Sequence, residues 1–145
     1  MRFFVILFIV VISSCSPSFN GISFQELETI FQKDKMLQHK SLLNLGFYQK
    51  KRSNNVDYEI YEKSDISTGA IQVPIDERIT IYDHGQITYW ARSSKQIEKL
   101  KDGLNRSKFN EMPLKDRNGT SYQSFEDSEK TIIFQKDHLM LIPKK

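Results

Sequence analysis

From Phe47 to the end of the chain, apolar side chains recur at every second position in short runs separated by turn-forming residues. Successive side chains of an extended strand point to opposite faces, so this period predicts strands that each bury one face. The pattern stops after residue 92 and resumes at 109, which divides the strands into two groups of four. The predicted strands are Phe47–Arg52, Val56–Lys63, Glu77–Asp83, Gln86–Arg92, Phe109–Lys115, Thr120–Glu126, Glu129–Lys136 and His138–Ile142.

Short turn-type segments join several of these strands. Ser53–Asn55, His84-Gly85 and Asn118-Gly119 contain residue types that form tight turns. Strands joined by so short a connection run antiparallel, since a parallel pair needs a crossover of about a dozen residues or more. We therefore expect an antiparallel sheet.

Two other segments have the period of an α-helix. The first begins at a capping box, in which the side chains of Ser23 and Glu26 each accept a hydrogen bond from a backbone N–H. The charged residues 33–35 interrupt its apolar stripe, so we expect a break or bend there. Gly46 stands where a left-handed C-cap would end this segment. The second segment is Ser94–Ser107.

The order of predicted elements is one helix, four strands, one helix and four strands. It predicts an α+β fold in which one antiparallel sheet, or two four-stranded sheets side by side, is covered on one face by two helices. Faint similarity between residues 23–93 and 94–145 is compatible with a tandem pseudo-repeat, as in known lipoprotein and inhibitor domains that repeat a helix-plus-four-strand unit. The aligned blocks are Tyr58–Tyr61 with Tyr122–Phe125, and Ile79–Tyr82 with Thr131–Phe134.

The N-terminal residues differ from the rest of the chain. Arg2 is followed by an unbroken apolar run, Phe3–Ile12, and then by the small residues Ser13 and Ser14. The run is shorter than the roughly 20 apolar residues that span a bilayer. A positive start, a short apolar run and small residues after it are typical of a secretory signal peptide, which we assign to residues 1–14.

The end of this segment, Ile12-Ser13-Ser14-Cys15, resembles the lipobox of bacterial lipoprotein precursors. The resemblance implies cleavage before Cys15, attachment of diacylglycerol to its thiol, and acylation of the new N-terminus, commonly with palmitate. It also implies a lipid-anchored protein of the cell envelope. Ser16 stands where an inner-membrane retention signal would have Asp, which favours the outer membrane in a cell with two membranes. The alternative is an ordinary secreted protein with a cysteine near the cleavage site.

Length and composition constrain the remainder of the chain, after the signal peptide. Residues 15–22 contain the cysteine and a Pro-, Gly- and Ser-containing spacer, and residues 23–145 suffice for one compact domain. The net charge, +3 for the full chain and +2 without the signal peptide, is too small for a protein that binds nucleic acid by charge alone. One cysteine excludes an internal disulfide framework and a cysteine-rich metal site. We expect no cofactor, no metal and no nucleic-acid partner.

No catalytic constellation is visible, and we assign no catalytic residue. Two of the three histidines follow an aspartate at a predicted turn, in Asp83-His84 and Asp137-His138. They suggest a metal or acid–base pair, but we interpret each as a turn residue with a polar neighbour, since Asp is common in turns. The serines lack the Gly-x-Ser-x-Gly setting of a hydrolase nucleophile, and no glycine-rich phosphate loop is present.

Two regions are candidates for binding a partner. The segment Ser64–Asp76 is long for a hairpin loop and carries Ile71 and Val73, which would contact a partner unless the segment is an edge strand or a flap over the core. Alternation also places Tyr82 and Trp90 on the sheet face opposite the predicted core. That face binds a partner if the helices cover only the other face. It is covered instead if the protein dimerises or if the other half of the chain packs on it.

The sequence therefore favours a membrane-anchored envelope lipoprotein whose domain binds an envelope protein or a glycan, as an accessory subunit, adaptor or inhibitor. One alternative is a hydrolase that acts on cell-wall or carbohydrate substrates with carboxylates from distant segments. Another is a purely structural lipoprotein.

Overall fold

The structure is a computed structural model, and it describes residues 21–50, 57–64, 75–117 and 120–144. The predicted signal peptide, Cys15, Ile71, Val73 and the Asn118-Gly119 turn lie outside the described residues.

The described strands form one eight-stranded antiparallel sheet with the order β1-β2-β3-β4-β8-β7-β6-β5. The strands are β1 (Tyr48–Gln49), β2 (Tyr58–Lys63), β3 (Glu77–Tyr82), β4 (Ile87–Ala91), β5 (Asn110–Arg117), β6 (Thr120–Glu126), β7 (Lys130–Phe134) and β8 (His138–Pro143). The predicted α+β class and antiparallel sheet are confirmed. The first and last four strands meet through β4 and β8, which are far apart in sequence.

Three α-helices are described, because the first predicted helix is divided in two. They are α1 (Phe24–Phe31), α2 (Lys35–Asn44) and α3 (Ser94–Asp102), and a 3₁₀ turn follows at Arg106–Lys108. The break falls in the charged segment expected from the sequence. There the Asp34 carboxylate accepts a hydrogen bond from the Leu37 N–H at 2.9 Å and so caps a new helix.

Local signals at both ends of this helix pair have the predicted form. Ser23 Oγ accepts from the Glu26 N–H, and Glu26 Oε2 accepts from the Ser23 N–H, which completes the capping box. Gly46 has a φ of 84°, a conformation that other residues rarely adopt, and the chain turns there into β1.

Alternation along the central strands creates the core. Every second residue of β3, β4 and β7 is buried, and Leu139 and Leu141 continue this pattern in β8. The buried apolar residues of the three helices belong to the same cluster as the buried strand residues. These helical residues are Phe24, Leu27, Ile30, Leu42, Ile97 and Leu100.

A buried carboxylate fixes the start of the described chain against the sheet. Glu77 is fully buried, and its Oε1 accepts hydrogen bonds from the Ile22 N–H at 3.0 Å, from the Tyr89 hydroxyl and from Gln96 Nε2 at 2.7 Å. Its other oxygen lies 3.9 Å from Lys63 Nζ. Burial and the negative charge of Glu77 raise the pKa of Tyr89. Glu77 therefore joins residue 22, β4 and α3 through one oxygen atom.

A buried ammonium group plays a similar part in the second half of the sheet. Lys130 is buried, and its Nζ lies 2.9 Å from both Glu28 Oε1 and Asp127 Oδ2. It also lies 5.3 Å from the centre of the Phe109 ring. The pair of carboxylates stabilises the buried cation and ties α1 to β7.

Candidate binding face

The side chains on the side of the sheet opposite the core form what we call the distal face. Because Ile79, Ile81 and Ile87 point into the core, Tyr82 and Trp90 lie on the distal face, as alternation predicts. Most distal side chains of β2, β3, β4, β7 and β8 are half-buried, and Glu62 is a buried exception. The half-buried ones include Ile60, Arg78, Thr80, Tyr82, Thr88, Trp90, Thr131, Ile133, His138, Met140 and Ile142.

The strand register places a row of aliphatic and threonine side chains across the middle of this face. Each member is directly opposite the next on the neighbouring strand. We call this set the central row, and it consists of Ile60, Thr80, Thr88, Met140 and Ile133. It crosses β2, β3, β4, β8 and β7 without a charged residue, so the middle of the distal face is a continuous, half-exposed strip of low polarity.

A second row runs parallel to the central row and is displaced from it by two residues along β2, β3, β4 and β8. We call it the Trp90 row, and it consists of Tyr48, Glu62, Arg78, Trp90 and His138, opposite one another in that order. Unlike the central row, it combines aromatic rings with charged groups.

Glu62 organises one end of the Trp90 row. Its side chain is only 4% exposed although it lies on the distal face. Arg78 covers it, with Nη2 and Nε at 2.8 and 3.0 Å from Glu62 Oε1. The Tyr48 hydroxyl donates to Oε2 at 3.5 Å, and Lys50 Nζ lies 3.7 Å from Oε1. A charge-assisted pair of this kind fixes the guanidinium group in place.

Asp137 organises the other end of the row from the turn between β7 and β8. Its carboxylate lies 2.8 Å from His138 Nδ1. This hydrogen bond lowers the pKa of Asp137; partial burial opposes the shift, and the Trp90 indole N–H lowers the pKa further. Since the indole has one donor, an acceptor beside it orients the whole ring.

Tyr82 belongs to a separate aromatic group on the other side of the central row. Its ring centre is 5.7 Å from that of Tyr58, which is opposite it on β2, and 5.4 Å from that of His84. Tyr82 and Trp90 thus share the distal face, as predicted, but the central row separates them. Two aromatic groups therefore flank the strip of low polarity.

The two Asp-His turns lie at opposite ends of the sheet. Ile87, just after the His84 turn, is opposite Leu141 in the second half of β8, whereas Trp90 is opposite His138, the first residue of β8. Three residue steps along a strand, about 10 Å, separate those two pairs, and His84 lies further still beyond Ile87. The two histidines cannot share a metal ion. Among the described residues, no group of three His, Cys, Asp or Glu side chains is placed to hold one.

The sequence pointed to Tyr82 and Trp90 but not to Glu62, Arg78 or Tyr48. Alternation gives the face of each residue, but only the register between β1, β2 and β3 brings these three side chains together. The proposed contacts of Ile71 and Val73, and lipid attachment at Cys15, fall outside the described residues.

No protein family, curated protein or solved structure matches this chain. In the described part of the chain, no helix is long and apolar enough to cross a membrane.

Proposed function

We propose that this chain is a lipid-anchored protein of the bacterial cell envelope whose distal face binds another macromolecule without catalysis. The observation that carries the binding proposal is the Trp90 row. Its Trp, Tyr and Arg side chains are the three types that dominate binding energy at protein interfaces. They flank a strip of low polarity, in keeping with the apolar centre and polar rim of many interfaces.

The hydrogen bonds of this row favour binding because they hold its side chains in place before a partner arrives. Arg78 is held by Glu62, and Trp90 lies beside the Asp137 carboxylate. Side chains that are already ordered lose less conformational entropy on association, which improves affinity. We favour a protein partner over a glycan because Trp, Tyr and Arg together are the side chains that dominate binding energy at protein interfaces.

The binding proposal requires that the helices cover one face of the sheet only. The shared core supports this, since the buried apolar residues of α1, α2 and α3 cluster with the inward-facing strand residues. The half-buried state of Trp90 and Met140 also supports a distal face that is accessible to a partner.

A tandem pseudo-repeat is part of the proposal, and the pairing of β4 with β8 supports it. In the proposed repeat, Ile87–Tyr89 is equivalent to Leu139–Leu141. Exchanging the two halves then converts the strand pair Ile87–Leu141 into the strand pair Leu139–Tyr89. Both pairs occur in the sheet. Thr88 and Met140 then pair at the centre of a two-fold relation.

Burial refines the alignment of the two halves. Tyr61 and Phe125 are buried and opposite the buried residues Ile79 and Ile132, which supports the first aligned block. The second block needs a shift of one residue, because Thr131, which it aligns with Ile79, is not buried. With that shift, the buried Glu77 becomes equivalent to the buried Lys130.

The proposed anchor would keep the domain close to the bilayer. Seven residue steps lead from Cys15 to Ile22, whose N–H is held by Glu77. A fully extended chain of that length reaches about 25 Å. One acyl chain binds a membrane only marginally, whereas two or more hold stably, so a fully acylated cysteine would remain attached.

The anchor is tested by replacing Cys15 with Ala in cells fed labelled palmitate. The proposal predicts that the wild-type chain takes up label and sediments with membranes, whereas the variant does neither. Equal membrane retention of the variant would contradict the anchor.

Binding is tested by purifying the tagged, lipidated chain from its own membranes. The wild type is compared with Trp90→Ala and with Glu98→Ala, a matched change at an exposed position of α3. Partners that are retained by Glu98→Ala but lost from Trp90→Ala support the distal face. A partner retained equally by all three would place its site elsewhere.

A further inference from the structure

The exposed large apolar side chains of the described residues all lie on α2 and on the strand that comes after it. Met36 is 76% exposed, Leu37 44%, Leu43 46% and Tyr48 49%. Exposed apolar side chains that are concentrated on one helix are a candidate surface for contact with another body. We call Met36, Leu37 and Leu43 the α2 stripe.

The helix is apolar on two sides. Leu42 is fully buried in the core cluster, whereas Met36 and Leu43 are seven residues apart and therefore point together away from it. A surface helix normally has a polar side toward water. Here that side carries the α2 stripe, with Lys40 between Met36 and Leu43.

Lysines slightly outnumber carboxylates on and around the α2 stripe. The helix contains Lys35 and Lys40 and no acidic residue. Asp34, which precedes it, uses its carboxylate to cap the helix through the Leu37 N–H. Lys35 Nζ lies 2.5 Å from Asp83 Oδ1, and Lys40 is exposed in the middle of the stripe.

Its size and chemistry fit a membrane surface better than a second copy of the chain. A stable protein interface takes about 800 Å² and 20 to 30 residues from each partner, and the α2 stripe offers far fewer. An apolar helix side with lysines fits the bilayer interface, where apolar side chains enter the acyl boundary and lysines reach anionic headgroups.

We propose that the α2 stripe is the surface by which the domain lies on a bilayer containing anionic lipids. This inference rests on the proposed anchor at Cys15, which would hold the domain within about 25 Å of the membrane. Tethering raises the effective concentration of the surface, so a small patch suffices. Because Leu42 packs toward the sheet, docking by the opposite side of α2 leaves the distal face directed away from the bilayer.

The test places an environment-sensitive fluorophore on single cysteines in the lipidated full-length chain, reconstituted in vesicles with brominated lipids. Lipid occupies the thiol of Cys15, so Met36→Cys and Leu43→Cys are labelled selectively. Ser128→Cys, at an exposed position of the turn between β6 and β7, is the control. Vesicles of phosphatidylethanolamine with phosphatidylglycerol are compared with phosphatidylcholine vesicles.

The proposal predicts blue-shifted emission and loss of fluorescence at positions 36 and 43, no change at 128, and a larger effect with phosphatidylglycerol. Anchored protein that shows no quenching at 36 and 43 would overturn this inference alone. Equal quenching at all three positions would also overturn it. If the purified protein carries no palmitate, the proposed anchor is overturned, and this inference with it. The palmitate content therefore distinguishes failure of the anchor from failure of this inference alone.

A variant without labels checks that the probes do not create the contact. Met36→Asp with Leu43→Asp changes two exposed side chains, and its thermal midpoint should match the wild type. The double change is made in the chain that carries only Ser128→Cys, so that α2 has no label, and is compared with the same chain without it. On phosphatidylglycerol vesicles, limited proteolysis should cut α2 faster in the doubly substituted chain. An unchanged cleavage rate would contradict the membrane contact.

Discussion

Arg78 covers the Glu62 carboxylate on the distal face, with Arg78 Nη2 2.8 Å from Glu62 Oε1. The side chain of Glu62 is 4% exposed, so its charge is stabilised by Arg78, the Tyr48 hydroxyl and Lys50 rather than by water. The pair belongs to the Trp90 row, which continues through Trp90 to His138. It fixes the position of a guanidinium group that we propose contacts a partner.

Replacing Glu62 with Gln should destabilise the domain by about 1–3 kcal/mol, since it removes a charged acceptor from a buried set of donors. Urea denaturation at neutral pH measures the change in the free energy of unfolding. Glu98→Gln, on the exposed side of α3, is the control and should leave stability within about 0.5 kcal/mol. Equal effects of the two changes would contradict the role of Glu62.

Fluorescence of Trp90, the only tryptophan, should report the protonation of Asp137. The pKa of Asp137 is lowered from 3.8, chiefly by the hydrogen bond with His138. The carboxylate therefore stays charged beside the indole as pH falls to 3.8, and the emission should shift only below that value. Asp137→Asn should abolish this acid transition while the domain stays folded. A transition of equal size in the variant would show that Trp90 senses another group.

Lys130→Met should destabilise the domain by about 2–3 kcal/mol, because two carboxylates lose the buried cation that they share. Burial acts to raise the pKa of Asp127, but hydrogen bonds from Lys130 and from the N–H groups of Glu129 and Lys130 bring it below 3.8. The stability from Asp127 is thus present above pH 3.8 and is lost as pH falls through the lowered pKa.

The pKa of Lys130 shifts the opposite way. Burial acts to lower it, but hydrogen bonds to Asp127 and Glu28 raise it above 10.5, so its contribution is present below pH 10.5 and is lost as pH rises through the raised pKa. Urea denaturation at pH 3, 7 and 11 should therefore show a smaller pH dependence for Lys130→Met than for the wild type. Parallel pH profiles would contradict this account of the cluster.

Gly21→Ala should weaken the attachment of residue 22 to the sheet. A Cβ at Gly21 would clash with the side-chain amide of Gln96, so Gln96 would have to leave its hydrogen bond to the buried Glu77. We expect a loss of about 1–2 kcal/mol in the free energy of unfolding.

Gly103→Ala is the matched control. The nearest atoms to a Cβ there are 3.5 Å away, and its φ of −73° suits any residue. Its stability should be close to that of the wild type. A Gly21→Ala variant as stable as Gly103→Ala would show that Gln96 can move without cost.

Local patterns in the sequence predicted much of the fold. The hairpin of β3 and β4 depends on alternation and a short turn, both of which are local. The division of the first helix likewise depends on a local cap at Asp34. Lys130 shows the limit, because nothing near it in sequence indicates that Glu28, on α1, is its partner.

The binding face depends on contacts between distant parts of the chain. Trp90 could be placed on the distal face from its own strand, but its position opposite His138 depends on the pairing of β4 with β8. The Glu62–Arg78 pair requires the register of β2 against β3, which are joined by a long segment. Alternation alone does not determine such a register.

Site-specific photo-crosslinking in living cells tests the central claim, that the distal face binds a partner, most directly. A photoreactive phenylalanine analogue replaces Trp90 in one strain and Glu98 in another, and adducts are identified by mass spectrometry. The account predicts a discrete adduct with an envelope protein from position 90 and none from position 98. No adduct at 90, or the same adducts from both positions, would contradict it.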